Sequence, residues 1–150
     1  MGLHTSTCSG LTFKDVKVPA ANLLGNEGEG YKIAMYALDS SRIGVAAQAT
    51  GLAEAALAHA IEYTKERVQF GKPLSKFQNT QFKLADMAIK VEAANLMLHN
   101  AGQDKAEGRP YTISASMAKK FCSDIAMEVT TAAVQLFGGY GFSEDYPVAV

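Results

Sequence analysis

The residue types able to do chemistry in this 150-residue chain fall into three short segments. The first is Glu66-Arg67-Val68-Gln69-Phe70-Gly71-Lys72-Pro73-Leu74-Ser75-Lys76-Phe77-Gln78. Arg67 offers a planar fork of donors that suits phosphate oxygens, and Gln69, Phe70 and Gln78 stand near it in sequence. The second is Gln135-Leu136-Phe137-Gly138-Gly139-Tyr140-Gly141, whose paired glycines let a ligand approach the backbone because no side chain stands in the way. The third is Leu38-Asp39-Ser40-Ser41-Arg42, a carboxylate and a guanidinium three residues apart in an otherwise apolar, small-residue run.

Each segment also has a plainer meaning. Asp39 and Arg42 at i, i+3 on a helix form a surface ion pair worth about 0.2–0.5 kcal/mol. Arg67 at a helix C-terminus is a charge favoured by the macrodipole. Gln135 to Gly139 supplies a helix stop, since glycine is the usual residue just past a helix end, although two consecutive glycines exceed what a stop requires. Phe70 suits a core anchor as well as a ligand contact. A dinucleotide-type Gly-x-Gly-x-x-Gly is absent, because Glu144 stands where the third glycine would follow Gly139 and Gly141.

Long helices must position these groups. Larger apolar residues recur at helical spacing from about Tyr31 to Arg67, namely Ile33, Leu38, Val45, Leu52, Ala56 and Tyr63. A second helix is predicted over Asn79–Glu107, with one line at Phe82, Ala85, Ile89, Ala93, Leu96 and Asn100. Its other line is Leu84, Met87, Val91, Ala94 and Leu98. A third is predicted over Thr112–Phe137, along Ile113, Met117, Phe121, Ile125, Val129, Ala132 and Leu136. Gly71 and Pro73 stop the first helix, and Gly108-Arg109-Pro110 separates the second from the third. A helix apolar on two sides wants neighbours on two sides, which predicts further helices from more sequence or from other subunits. Residues 3–24 differ: Leu11, Phe13, Val16 and Val18 scattered among Thr, Ser and Lys predict one or two short strands, and 26–30 is a loop.

Composition narrows the function classes. An apolar fraction of 48% with 19% charged residues fits a globular chain. A net charge of −1 argues against a nucleic-acid partner, which wants a basic face, and no apolar run approaches the roughly 20 residues that span a bilayer. Cys8 and Cys122 read as free thiols. His4, His59 and His99 lack metal-ligand spacing, so no metal site is expected. Lys65-Glu66-Arg67 and Lys119-Lys120 also read as solvated faces. Met1 to Ser6 matches the loose myristoylation pattern, which is too tolerant to carry weight.

Taken in order, Leu38 to Arg42, Arg67-Val68-Gln69-Phe70-Gly71, Gln135 to Gly139 and Asp145-Tyr146-Pro147 resemble the acyl-CoA dehydrogenase family of flavoproteins, nearest its short-chain (butyryl) branch. The resemblance runs from about Leu3 to Val148. It implies a mainly α fold, a long-helix up-and-down bundle preceded by one or two short β-strands of a middle β domain. Residues 1–25 would end that middle domain, and 26–150 would form the C-terminal helical bundle domain, truncated before its last helices. It further implies α,β-dehydrogenation of acyl-CoA thioesters with FAD, as in fatty acid β-oxidation. By resemblance Asp39, Ser40, Ser41 and Arg42 line the acyl-CoA pocket. Arg67, Gln69, Phe70, Gln78, Gln135, Leu136, Phe137, Gly138 and Gly139 contact FAD of a neighbouring subunit. A homotetramer, an electron-transfer flavoprotein as partner, and a bacterial cytoplasmic or mitochondrial matrix location come with the family.

The proton at the α carbon needs a carboxylate base within hydrogen-bond reach. In most of the family this is a glutamate shortly after the part matching Asp145-Tyr146-Pro147, beyond Val150; in some branches it stands where this chain has Ser41. The expectation is therefore a fragment that holds pocket and flavin contacts without the base, inactive alone. The alternatives are a non-catalytic helical module that oligomerises and binds a nucleotide, and a purely structural helical protein.

Overall fold

The computed structural model describes residues 9–149, so the myristoylation-like Met1–Ser6 and Cys8 lie outside the described residues. Three helices dominate it: α1 (Gly30–Glu66), α2 (Gln78–Ala106) and α3 (Thr112–Phe137). The expected bounds hold to within a residue, because glycines and prolines lie at or near most of the ends. The chain runs up, down and up. Side chains near the start of α1 meet the end of α2 and the start of α3, and the end of α1 meets the end of α3.

Among the described residues the strands lie elsewhere than in the predicted segment. Residues 9–24 hold no strand, only a short 3-10 turn at Ala20–Asn22, and Leu11, Phe13, Val16 and Val18 are exposed. A strand needs a paired neighbour, and nothing among the described residues offers this stretch one. The two short strands, β1 (Val68–Gln69) and β2 (Lys72–Pro73), form an antiparallel hairpin between α1 and α2. Phe70 and Gly71 make its two-residue turn with φ of 51° and 78°, both positive as a type I′ turn demands.

The core is a seam of alanines. Ala46, Ala53 and Ala60 recur every seventh residue of α1, and Met87, Ala94 and Ala101 do the same on α2; all are buried. Ala118, Cys122, Ile125, Val129 and Ala133 of α3 complete the cluster. A seven-residue repeat keeps one stripe facing its partners along the whole helix. Thr50 and Thr64 sit within the seam of α1, their hydroxyls donating to the Ala46 and Ile61 carbonyls at 2.9 and 3.0 Å. Burial therefore leaves neither hydroxyl unpaired.

The recurring larger residues of α1 divide: Leu38, Val45 and Leu52 are exposed, while Ile33, Ala56 and Tyr63 are half-buried. On α2 the line through Met87, Val91 and Ala94 is buried, while Phe82, Ile89 and Leu96 are exposed. On α3 the predicted line divides, with Ile125 and Val129 inside and Ile113 and Met117 outside. The physical reason is shape. Alanine stripes let helices approach closely and so pair with one another, which leaves the bulky stripes on the outside.

The seam fixes the response to substitution. Ala53→Leu should lower stability by about 1–3 kcal/mol through overpacking. Leu52→Ala, one residue away on the exposed side, should change it by about 0.5 kcal/mol or less in this chain. Urea unfolding of the two variants beside the parent checks both.

Candidate functional site

Two of the three segments meet. Arg67 is the residue that ends α1, its N–H donating to the Tyr63 carbonyl at 2.9 Å, and it turns out of the helix into extended backbone. Gly138 ends α3 at φ 62°, a left-handed conformation that suits glycine, and the chain continues as a 3-10 turn over Gly138–Phe142. Arg67 and Gln69 from one side and Leu136, Phe137, Gly138 and Gly139 from the other line a cleft of about 300 Å³, closed by Tyr63 and Tyr140. An ideal Cβ on Gly138 or Gly139 would meet nothing within 4 Å, so the main chain there is open to a ligand. The Arg67 guanidinium lies over the Tyr140 ring, 5.3 Å from its centroid.

Three expected contacts are not in this cleft. Phe70 is 93% exposed at the tip of the hairpin, its ring edge-on to that of Phe77 with centroids 6.4 Å apart. That settles its place in this chain: it is no core anchor. Gln78 is the exposed first residue of α2. Gln135 faces a separate surface groove beside Lys83 and Glu128. Residues displayed outward at one end of the molecule can meet a ligand only if it extends beyond the cleft or belongs to another subunit.

The third segment lies at the far end of the bundle. Asp39 and Arg42 form the predicted ion pair, yet the pair is more than a surface ornament. The other carboxylate oxygen of Asp39 accepts a hydrogen bond from Thr112 Oγ1 of α3 at 2.6 Å, and Lys105 Nζ of α2 donates to Ser40 Oγ. The Ser41 hydroxyl donates to the Leu38 carbonyl at 3.0 Å, within its own helix. Asp39 thus has both oxygens engaged, which suits shaping a site better than abstracting a proton. α1 carries Asp39 and Arg67 roughly 40 Å apart along its axis.

Tyr63 and Tyr140, outside the predicted set, also line the cleft. Tyr63, Phe137, Tyr140 and Tyr146 form an aromatic cluster in which Tyr63 stacks on Phe137 with centroids 4.0 Å apart. Tyr63 sits one helical turn before Arg67, so its spacing was visible in the sequence although its role was not. Gly141 was legible only as part of a glycine-rich run. Its ideal Cβ would lie 2.3 Å from the Val134 carbonyl oxygen, so this buried position excludes any side chain.

Comparisons with known proteins identify the family. Residues 28–150 match the family model for the acyl-CoA dehydrogenase C-terminal domain. The chain is 63% identical over 149 residues to the short-chain specific acyl-CoA dehydrogenase of Megasphaera elsdenii, covering 99% of this chain and 39% of that protein. The solved butyryl-CoA dehydrogenase of the same organism superimposes with a TM-score of 0.90 at 64% identity, over 91% of this chain and 36% of that one. A chain in a structure of the electron transferring flavoprotein of Acidaminococcus fermentans, addressed to flavin-based electron bifurcation, gives a TM-score of 0.90 at 62% identity, over 91% of this chain and 36% of that one. The chain belongs to the acyl-CoA dehydrogenase family and carries its C-terminal helical domain. It spans about two fifths of the length of the M. elsdenii relative.

Two expectations follow from the cleft. Gly141→Ala should destabilise the chain by about 1–3 kcal/mol or more, because the obstructing atom is main chain and has little room to yield; thermal unfolding reads this. Burial pushes the Tyr63 phenol above its ordinary value of 10.0, with the Arg67 charge opposing and Tyr146 and Tyr140 adding to the rise. A folded-state value above the unfolded one means the contribution is complete below pH 10 and is lost as the pH rises through the folded value. The melting temperature should therefore fall above about pH 10, and Tyr63→Phe should flatten that fall in melts collected across the alkaline range.

Proposed function

We propose that this chain is the C-terminal part of an FAD-dependent short-chain acyl-CoA dehydrogenase, which removes hydrogen across the α,β bond of acyl-CoA thioesters. The observation that carries the reading is the convergence of Arg67, Gln69 and the open Gly138–Gly139 main chain on one cleft. A guanidinium fork and unobstructed backbone fit the anionic diphosphate of FAD, and the neighbouring aromatic rings fit a flat base. The identity to short-chain and butyryl-CoA relatives supports the substrate class.

In this reading each part of the chain has a defined task. Arg67 neutralises charge on the diphosphate, and the Gly138–Gly139 backbone lets the nucleotide approach. Asp39, Ser40, Ser41 and Arg42 shape the acyl-CoA pocket, held rigid by Thr112 and Lys105. When bound, the flavin ring supplies the hydride acceptor. The roughly 40 Å between the cleft and the acyl segment exceeds what one cofactor bridges, so the two serve different active sites of a homo-oligomer, a tetramer in the intact enzyme. Phe70, Gln78 and Gln135, turned outward, complete contacts to the neighbouring subunit's FAD.

This reading assigns the general base to a residue outside this chain. Ser41 is a hydroxyl tied to its own helix, and Asp145 is engaged by the Ser143 hydroxyl at 3.1 Å, at the end of the bundle opposite Asp39. Residues 1–25 are assigned to the end of the middle β domain and 26–150 to the helical domain. An electron-transfer flavoprotein is the proposed electron acceptor, with β-oxidation in the bacterial cytoplasm or mitochondrial matrix as the setting.

Arg67→Ala tests the cofactor assignment. In a full-length protein carrying this segment, loss of a charge-assisted hydrogen bond of roughly 1.5–3 kcal/mol should weaken FAD retention about tenfold to hundredfold. Flavin fluorescence released on serial dilution measures it. A variant that keeps its flavin as well as the parent would leave Arg67 a mere helix-end charge.

A further inference from the structure

Tyr63 is bonded to both halves of the cleft. Its main-chain carbonyl accepts the Arg67 N–H at 2.9 Å, which closes the last turn of α1 and sets the direction in which Arg67 departs. Its phenol donates to the Phe137 carbonyl at 3.3 Å. Its ring lies 4.0 Å from that of Phe137, the planes 13° from parallel. Phe137 is the last residue of α3, so the carbonyl held by Tyr63 belongs to the peptide that leads into Gly138. Among the described residues this is the one side-chain hydrogen bond that ties α1 to the segment 135–141.

We propose that Tyr63 is a positioning residue for the nucleotide cleft, fixing the Phe137–Gly138 peptide relative to Arg67 so that guanidinium and glycine backbone face one ligand. The inference rests on the reading of this cleft as an FAD contact. The Arg67–Tyr140 contact cannot do the same work, because the guanidinium has to turn toward a phosphate when one arrives. The bonds of Tyr63 end on main-chain atoms of both segments, and nothing in them has to break for a ligand to bind. A site held in its binding geometry beforehand loses less freedom on association.

Tyr63→Phe isolates the hydroxyl, since the ring and its stacking on Phe137 remain. Two measurements decide. In the 150-residue chain without ligand, the Gly138 N–H is held by the Gln135 carbonyl. Amide exchange at Gly138 to Tyr140 should run about two- to tenfold faster in Y63F, the range one hydrogen bond supplies. Amides of Cys122 to Val129 should exchange as in the parent, which a general loss of stability would not allow. In a full-length protein carrying this segment, FAD should dissociate faster by a similar factor. Unchanged exchange at Gly138 to Tyr140 overturns the proposal. So does faster exchange with flavin retained as in the parent, provided Arg67→Ala does release flavin. If Arg67→Ala also retains it, the nucleotide reading itself fails and the positioning role falls with it.

Discussion

Three helix backbones come close together here because little larger than a methyl group stands between them along much of the seam. Ala46, Ala53 and Ala60 on α1, Ala94 and Ala101 on α2 and Ala118 and Ala133 on α3 impose that closeness. The functional contacts depend on it. Asp39, Ser40 and Thr112 are short side chains, and Asp39 reaches Thr112 across the α1–α3 boundary only because the axes are near. The Tyr63 phenol reaches the Phe137 carbonyl for the same reason. Burying a methyl group contributes less than burying a leucine, about 0.8 kcal/mol per carbon. The seam therefore gives proximity and register more than bulk stability, and the length of the helices makes up part of the difference.

The two ends of the bundle are fastened by different chemistry. At the start of α1 the fastening is polar: the Asp39–Arg42 pair, Thr112 and Lys105. Such contacts hold direction well and weaken in salt. At the other end it is aromatic, with Tyr63, Phe137, Tyr140 and Tyr146 packed beside the Arg67 guanidinium. Stacked rings hold distance and exclude water, which strengthens any charge interaction made next to them. Each fastening suits the ligand chemistry proposed for its end, a thioester arm in one case and a diphosphate in the other.

Much of this was legible in the sequence, for identifiable reasons. Glycine and proline break helices by backbone sterics alone, so the ends of α1, α2 and α3 could be placed to within a residue. The grouping of Arg67 with Gly138 and Gly139 came with the family resemblance, and in the fold all three line one cleft. What misled was size. A search for large apolar residues passes over alanine, so on α1 the heptad of alanines that forms the seam does not stand out beside Leu38, Val45 and Leu52, which are exposed. The hairpin was missed because two-residue strands are too short to show alternation. Phe70 adopts a positive φ that its residue type does not advertise. Tyr63 and Gly141 act through contacts across the fold, with Phe137 and Val134, that no local pattern encodes.

The uninterrupted run of α1 from Gly30 to Glu66 makes it a ruler as well as a wall. Each residue of an α-helix advances the chain about 1.5 Å and turns it about 100°. Inserting or deleting a single residue between Asp39 and Arg67 would swing one end of the helix to a different side of the bundle. It would also throw the alanine stripe out of phase. A change of seven residues nearly restores the phase but lengthens the ruler by roughly 10 Å, carrying Arg67 away from Gly138. The length of this helix is thus quantised by its own packing, and a lineage that keeps both ends in use can vary its surface freely while its residue count stays locked.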